Sequence, residues 1–391
     1  MNNYVPLGDI VDIKGGGTPD KKVAAYWDGD IPWASVKDFK SGTLDRTVDR
    51  ITAAGVAASA TNIIPAGHII VPTRMAVGKA AINTIDLAIN QDLKALFPKV
   101  SVDTRYLYNA LLANSGKLLD QATGATVKGI KLDALRGLKI PLPPLEEQKR
   151  ISGILDQADA LRRLRTRALD RLNTLGQAIL LECQQGTEFK LTDVEFGKLA
   201  ENTRNAFCNG PFGSNLLRSE LTVEGVPVIY IRDIASGLYK RKSEWHVTQE
   251  KAQELSGCAV NSGDLLLSKV GDPPCAAAIY PAGEPPAIIT QDVIRIRIDP
   301  ERALAKYLAA FFNTEVGRRA IKPIIVQATR ARVSLRDLKG LKLSLPPIEA
   351  QRAAVLKLEA LDNQRNKSNT SLLGLQSLFA SLQHCAFRGE L

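Results

Sequence analysis

The chain has 391 residues, 45% of them hydrophobic, enough for two or three globular units with their own cores, which excludes a disordered or fibrous protein. Its formal net charge of +10 points toward an anionic partner such as nucleic acid or an acidic surface. The 5 scattered cysteines and 3 separated histidines signal neither a disulfide framework nor a zinc site.

In chain order, the opening MNNYVPLGDI lacks the basic and then apolar regions of a signal peptide. No apolar run approaches the roughly 18 residues of a membrane span, so no membrane role and a cytoplasmic location are expected. Residues 4 to about 130 read as a mixed globular domain. Short β-like runs (Ile31 to Val36, His68 to Val71, Lys79 to Ile82) are separated by turn material such as Gly15-Gly16-Gly17-Thr18-Pro19 and Asp28-Gly29-Asp30. One amphipathic helix follows, from Thr104 to Leu119, with Leu107, Leu111, Leu112, Leu118 and Leu119 on its apolar face.

Leu135 to Arg150 (LRGLKIPLPPLEEQKR) returns at Leu338 to Arg352 as LKGLKLSLPPIEAQR, a shift of 338 − 135 = 203 residues. The second half repeats the first more loosely elsewhere. PWASVKD (Pro32 to Asp38) answers PVIYIRD (Pro227 to Asp233), Ser41-Gly42 answers Ser236-Gly237, Gln91-Asp92 answers Gln291-Asp292, and Ala125-Thr126 answers Ala328-Thr329. A kept scaffold with divergent loops is the pattern of a varied recognition surface. Gln91 and Gln291 recur in both copies, so they are expected to serve the shared fold.

Each copy ends in a proline hinge, Pro141 to Pro144 and Leu345 to Pro347, that holds an extended approach and lets a helix begin. The acidic Glu146, Glu147 and Glu349 then occupy the first turn, where the helix dipole favours them. Helices are predicted from about Glu146 to Gln184 and from about Glu349 to Phe387. The first would be about 58 Å long at roughly 1.5 Å per residue. Their apolar positions step by threes and fours: Ile151, Ile154, Ala158, Leu161, Leu172, Leu175 and Ile179 in the first, Leu358, Leu361, Leu372, Leu375, Phe379 and Leu382 in the second. Such spacing is a coiled-coil seam. Gly186 and Gly389 suit the left-handed position that ends a helix. Antiparallel pairing is expected, since it would stack the polar interruptions Arg165 and Arg365 to Ser368 together.

The chain reads as a binder rather than an enzyme. Asp272-Pro273-Pro274 resembles the loop with which amino-methyltransferases stack a base, but Cys275 follows where an aromatic ring is needed. Gly15-Gly16-Gly17-Thr18 lacks the Gly-Lys-Ser/Thr of a P-loop, and there is no HExxH or GxSxG. The arginines at 162, 163, 165, 167 and 171 read first as a solvated helix face. Basic runs recur just before each hinge: Lys117, Lys128, Lys131 and Arg136 in the first copy, Arg318, Arg319, Lys322, Arg330, Arg332 and Arg336 in the second. Their recurrence tilts toward phosphate contact.

The two hinge phrases with their long helices, the domain openings (Tyr4 to Asp9, Gly210 to Ser214), the closing Phe387 to Leu391 and the half-chain duplication together resemble the DNA specificity subunit of type I restriction-modification systems, over the whole chain. Ser344 stands where the first copy has Pro141, a small departure. The resemblance implies an α+β fold with a pseudo-two-fold internal repeat. Two mixed α/β target recognition domains (1–140 and 188–343) would be separated by two long helices (141–187 and 344–391) forming an antiparallel coiled coil. It implies a non-catalytic subunit that reads a bipartite, asymmetric site on double-stranded DNA and docks two methyltransferase subunits and two restriction/motor subunits. The chain would hold no cofactor or metal, with adenosylmethionine, ATP and Mg on the partners. Candidate DNA-contacting residues lie in divergent loops and basic runs: Lys14, Thr18, Arg74, Lys79 and Lys128 in the first domain, Asn215, Lys240, Arg241, Lys269, Arg330 and Arg332 in the second. Half-sites about one helical turn apart, roughly 34 Å, would follow from that geometry. The competing class is a coiled-coil adaptor with two ligand-binding domains not specific for DNA.

Overall fold

The computed structural model describes residues 4–124, 127–185, 190–211, 213–234 and 237–391. The chain divides into two compact units, residues 1–166 with 370–391, and residues 167–369. Both follow one plan: a two-stranded clasp, two small sheets, several short helices and portions of both long helices.

In the first unit Tyr4–Pro6 pairs antiparallel with Lys139–Pro141, so the domain opening and the hinge are one structure. A five-stranded sheet runs in the order Val11–Gly15, Leu93–Pro98, Ile69–Pro72, Ala81–Asn83, Thr43–Leu44. A four-stranded sheet runs Asp49–Ile51, Trp27–Ala34, Leu87–Ile89, Ile63–Ile64. Ile69, Ile70 and Val71 are all buried, the reading expected of a strand covered on both faces. Its main core gathers Leu7, Ile10, Leu96, Tyr106, Leu107 and Leu111.

The second unit repeats this with Thr192–Glu195 against Lys342–Leu345. Its two four-stranded sheets run Phe207–Asn209, Val293–Ile296, Leu265–Ser268, Ala277–Ile279, and His246–Val247, Val226–Ile229, Ala287–Ile289, Ala259–Val260. Phe196, Phe207, Tyr307, Leu308, Phe311 and Phe312 lie in its main core.

The helix expected over Thr104 to Leu119 is two helices, Thr104–Ala113 and Ser115–Asp120. Asn114 breaks it: its side-chain amide donates to the Ala110 carbonyl at 2.8 Å, and the backbone turns to φ −96°, ψ 11°. Competition of this kind is why Asn disfavours helix interiors.

The long helices span Leu145–Gln185 and Ile348–Arg388, 41 residues each. Gly389 (φ 77°) closes the second, with Glu390 N donating to Cys385 O at 2.9 Å in a Schellman arrangement. Gly186, expected to end the first helix, and the repeat positions Ala125, Thr126 and Ser236 lie outside the described residues. Within each unit the two helices run antiparallel. In the first, Ile151, Leu155 and Ala158 share a core with Phe379, Ala386 and Phe387. In the second, Leu180 shares a core with Ala354, and Cys183 Sγ reaches Ala350 O at 3.7 Å.

The seam differs from the expected one in register. Ile151, Ala158 and Phe379 are buried, and Ile154, Leu172, Ile179, Leu358, Leu361, Leu372, Leu375 and Leu382 are half-buried. Leu161 and Leu175 are 52% and 48% exposed, whereas Leu155 and Leu180, outside the expected stripe, are 0% and 5% exposed. The cause is that within each unit the helix portions pack on the globular part as well as on one another. That second contact takes the face carrying Gln148, Ser152 and Leu155, rotating the buried stripe away from a pure two-helix seam.

No helix among the described residues is long and apolar enough to cross a membrane.

Candidate nucleic-acid interface

In each unit two exposed loops are tied together at the end of a sheet, and this is where five of the sequence candidates converge. In the first unit a tip loop is closed by reciprocal backbone bonds between Thr123 and Gly129, both 2.9 Å. It is fastened to the segment after strand Ile69–Pro72 by Ile130 N to Thr73 O (2.9 Å) and Met75 N to Lys128 O (3.0 Å), with Arg74 bridging Gly129. The second unit makes the same fastening. Val326 and Arg332 close the tip at 2.8 and 3.1 Å, Val333 N bonds Lys269 O at 3.0 Å, Gly271 N bonds Ala331 O at 3.1 Å, and Val270 bridges Arg332.

Arg74 and Lys128 are thereby brought together in the first unit, and Lys269, Arg330 and Arg332 in the second. Lys128, Arg330 and Arg332 are exposed and form no ion pair among the described residues. Arg74 lies 3.8 Å from Asp92 with more than half its side chain exposed. Placing unneutralised cations on protruding loops costs stability through self-repulsion and favours a polyanion.

The other candidates are dispersed. Lys14 lies on strand Val11–Gly15 with its ammonium 4.3 Å from the Phe97 ring centroid, a cation–π contact. Thr18 is hydrogen-bonded to the Gln91 side chain, and Lys79 Nζ reaches Phe39 O at 3.5 Å. Asn215 is exposed in a loop that rims a recess of about 350 Å³ lined by Arg218, Tyr230, Trp245 and Gln291. Lys240 is exposed, and Arg241 is half-buried, with Nη2 3.0 Å from His246 Nε2.

The glycine run has a packing role. A Cβ on Gly16 would come within 1.9 Å of Ile89 O, and one on Gly210 within 2.3 Å of Thr290 backbone atoms, so both copies need glycine for close backbone approach. Next to it, Lys94 Nζ donates to Gln91 O at 2.7 Å. Burial lowers the Lys94 pKa, and the Asp92 charge opposes that shift. Gln91 and Gln291, expected to serve the fold, are both exposed.

Of the helix arginines, Arg162 and Arg163 both bind Asp159, at 3.3 and 2.6 Å, and Arg162 also lies 4.5 Å from the Phe379 ring centroid. These two are committed within the unit, unlike the tip-loop cations. One prominent residue of the first tip-loop fastening carries no signal in the sequence. Met75 is 68% exposed, adopts φ 64°, and stands between Arg74 and the fastening to Lys128. No composition or spacing signal marks it, because its prominence comes from a local backbone turn.

Residues 2–174 and 215–373 match the family model for the type I restriction modification DNA specificity domain. The EcoR124I/EcoR124II specificity subunit of Escherichia coli is 36% identical over 172 residues, 42% of this chain and 43% of that protein. The MjaIX specificity subunit of Methanocaldococcus jannaschii is 34% identical over 160 residues, 40% of this chain and 37% of that protein. The match thus spans less than half the length of either relative. Among solved structures, a chain from work on assembly and conformational transition of the type I R-M system shares the fold, with TM-score 0.64 at 17% identity over 100% of this chain and 98% of that one.

Proposed function

The chain belongs to the type I restriction modification DNA specificity family, and from that membership we propose that it is the sequence-reading subunit of a type I restriction-modification complex. Each unit reads one half of a split, asymmetric site on double-stranded DNA. The observation that carries this reading is the duplicated tip loop, fastened identically in the two units, with Lys128, Arg330 and Arg332, exposed and without an ion pair among the described residues, at its end. Basic side chains there hold the phosphate backbone and set register, while divergent neighbours meet base edges in the major groove.

Two methyltransferase subunits would dock on the helical region, joined by two restriction/motor subunits, in the cytoplasm. Adenosylmethionine, ATP and Mg²⁺ would be used by those partners, and this chain would contribute recognition without a catalytic step. The near-repetition of scaffold and divergence of loops supports the arrangement: like partners seated on like surfaces, with unlike bases read on either side.

The test is single-molecule sequencing of methylated DNA from a host carrying this chain with its methyltransferase subunit. A methylated motif of two different half-sites separated by a fixed spacer is expected. Methylation with no such motif, or DNA binding by the complex that ignores salt, would overturn the reading and favour the adaptor.

A further inference from the structure

Resting on that reading, we infer that Met75 is a specificity-determining contact of the first unit, packing its side chain on a thymine C5-methyl group in the major groove of one half-site. Four observations meet at this residue. Its backbone is held in a left-handed conformation (φ 64°), and Ala76 N donates to Arg74 O at 2.8 Å, closing a three-residue turn centred on Met75. Such turns are rare and strained for a residue with a side chain, and this one recovers no core packing, because Met75 is 68% exposed. An observed outlier of this kind, held in place by its surroundings, is a pointer to function. Here the surroundings are the bond from Met75 N to Lys128 O and the bridge between Arg74 and Gly129.

The third observation is the company it keeps. The exposed apolar side chain stands beside the exposed cations Arg74 and Lys128, which would anchor the loop on phosphates and leave Met75 facing the groove between them. A thioether offers no hydrogen-bond donor and only a weak acceptor. The apolar group displayed on a base edge in the major groove is the thymine methyl, and apolar contact is how it is read.

The fourth is the comparison between the units. The residue that makes the same bond to the second tip loop is Gly271, whose amide bonds Ala331 O at 3.1 Å. The scaffold bond is kept and the side chain is present in one unit only. That is what a position serving two different half-sites requires.

The experiment uses the full chain assembled with its methyltransferase subunits and duplexes carrying the sequenced site. Each thymine is replaced in turn by uracil, which removes only the methyl group. One thymine, in one half-site, should show a loss of affinity of about fourfold on replacement, the worth of one buried methyl. Met75→Ala should show that same loss on the thymine duplex and no further loss on the uracil duplex. Met75→Gly suits the left-handed backbone, so it should be at least as stable as the parent protein while losing the same contact. The inference is overturned if Met75→Ala binds the thymine duplex as tightly as the parent, or if it binds more weakly but stays sensitive to uracil at every position. Lys128→Ala separates the two levels of failure. If it weakens binding to all duplexes while Met75→Ala does nothing, only the methionine contact is wrong. If neither substitution alters binding, the DNA-facing assignment of this loop falls as well.

Discussion

Gln148 and Gln351, buried to 1% exposure in separate units, make the same pair of bonds to their surroundings. Each side-chain oxygen accepts from a backbone amide in front of a domain helix, Asp103 N at 2.9 Å and Leu304 N at 3.0 Å. Each side-chain nitrogen donates to a hinge carbonyl, Pro143 O at 2.8 Å and Pro346 O at 2.9 Å. The repeated glutamine of the hinge phrase is therefore a buried clip joining long helix, hinge and domain. Gln148→Leu would leave the half-buried Asp103 amide and Pro143 carbonyl without their partner, at a cost of about 1–3 kcal/mol. Urea unfolding should show this for Gln148→Leu and Gln351→Leu alike, and because the two share no partner their effects should add within about 0.5 kcal/mol.

The rotated helix seam makes a paired prediction. Leu155→Ala empties a fully buried position and should cost about 3 kcal/mol. Leu161→Ala, at a position 52% exposed, should cost less than about 1 kcal/mol. Thermal or urea unfolding of both variants checks the order; equal losses would restore the simple two-helix seam.

Burial pushes the Cys275 thiol up from 9.0 to about 12. The unfolded chain releases that proton near pH 9 and the folded chain keeps it, so stability is intact below about pH 9 and falls as pH rises from there toward 12. At pH 10.5 the loss from this group should be about 2 kcal/mol. Burial also raises the pKa values of Tyr280 and Tyr307, which act in the same direction. The informative quantity is therefore the difference in pH slope between the parent and Cys275→Ala, measured by urea unfolding from pH 8 to 10.5.

The tip-loop cations should act as phosphate contacts. Lys128→Ala and Arg332→Ala should each weaken DNA binding across all sequences and lower the slope of log affinity against log salt by about 0.9. Arg163→Ala is the contrast: its partner is Asp159 at 2.6 Å, so the slope should stay within error of the parent. Fluorescence anisotropy of the assembled complex over a salt series distinguishes the two.

Much of the architecture could be read directly. Proline pairs followed by acidic first turns located the long helices to within one residue at each start, and the shifted repeat announced two units on one plan. The break at Asn114 was not legible, because a side chain bonding back to Ala110 O competes with the helix only when the rest of the turn holds it there. Nor was the seam register, which depends on a third surface that periodicity along one helix does not see. At the interface, sequence reasoning named Arg74, Lys128, Lys269 and Arg332 separately. Their convergence within each unit arises from backbone bonds between segments about 50 to 65 positions apart, and no local pattern encodes those. In the sequence Gly16 reads as turn material, while its hydrogen side chain is needed because Ile89 O lies where a Cβ would go.

Tyr4 Oη donates to Phe387 O at 3.0 Å, and Phe379, Ala386 and Phe387 complete the core around Ile151 and Leu155. The first unit is thus finished by residues translated after the whole of the second. At roughly 5–20 residues per second, the ribosome leaves Ile151, Leu155 and Tyr106 without their cover for about 10–60 s. By the time residue 370 is added, the later unit, contiguous from 167 to 369, has all its residues in hand. The order of completion is therefore the reverse of the order of synthesis, and a chain stalled before residue 370 would carry a closed second unit and an open, aggregation-prone first one.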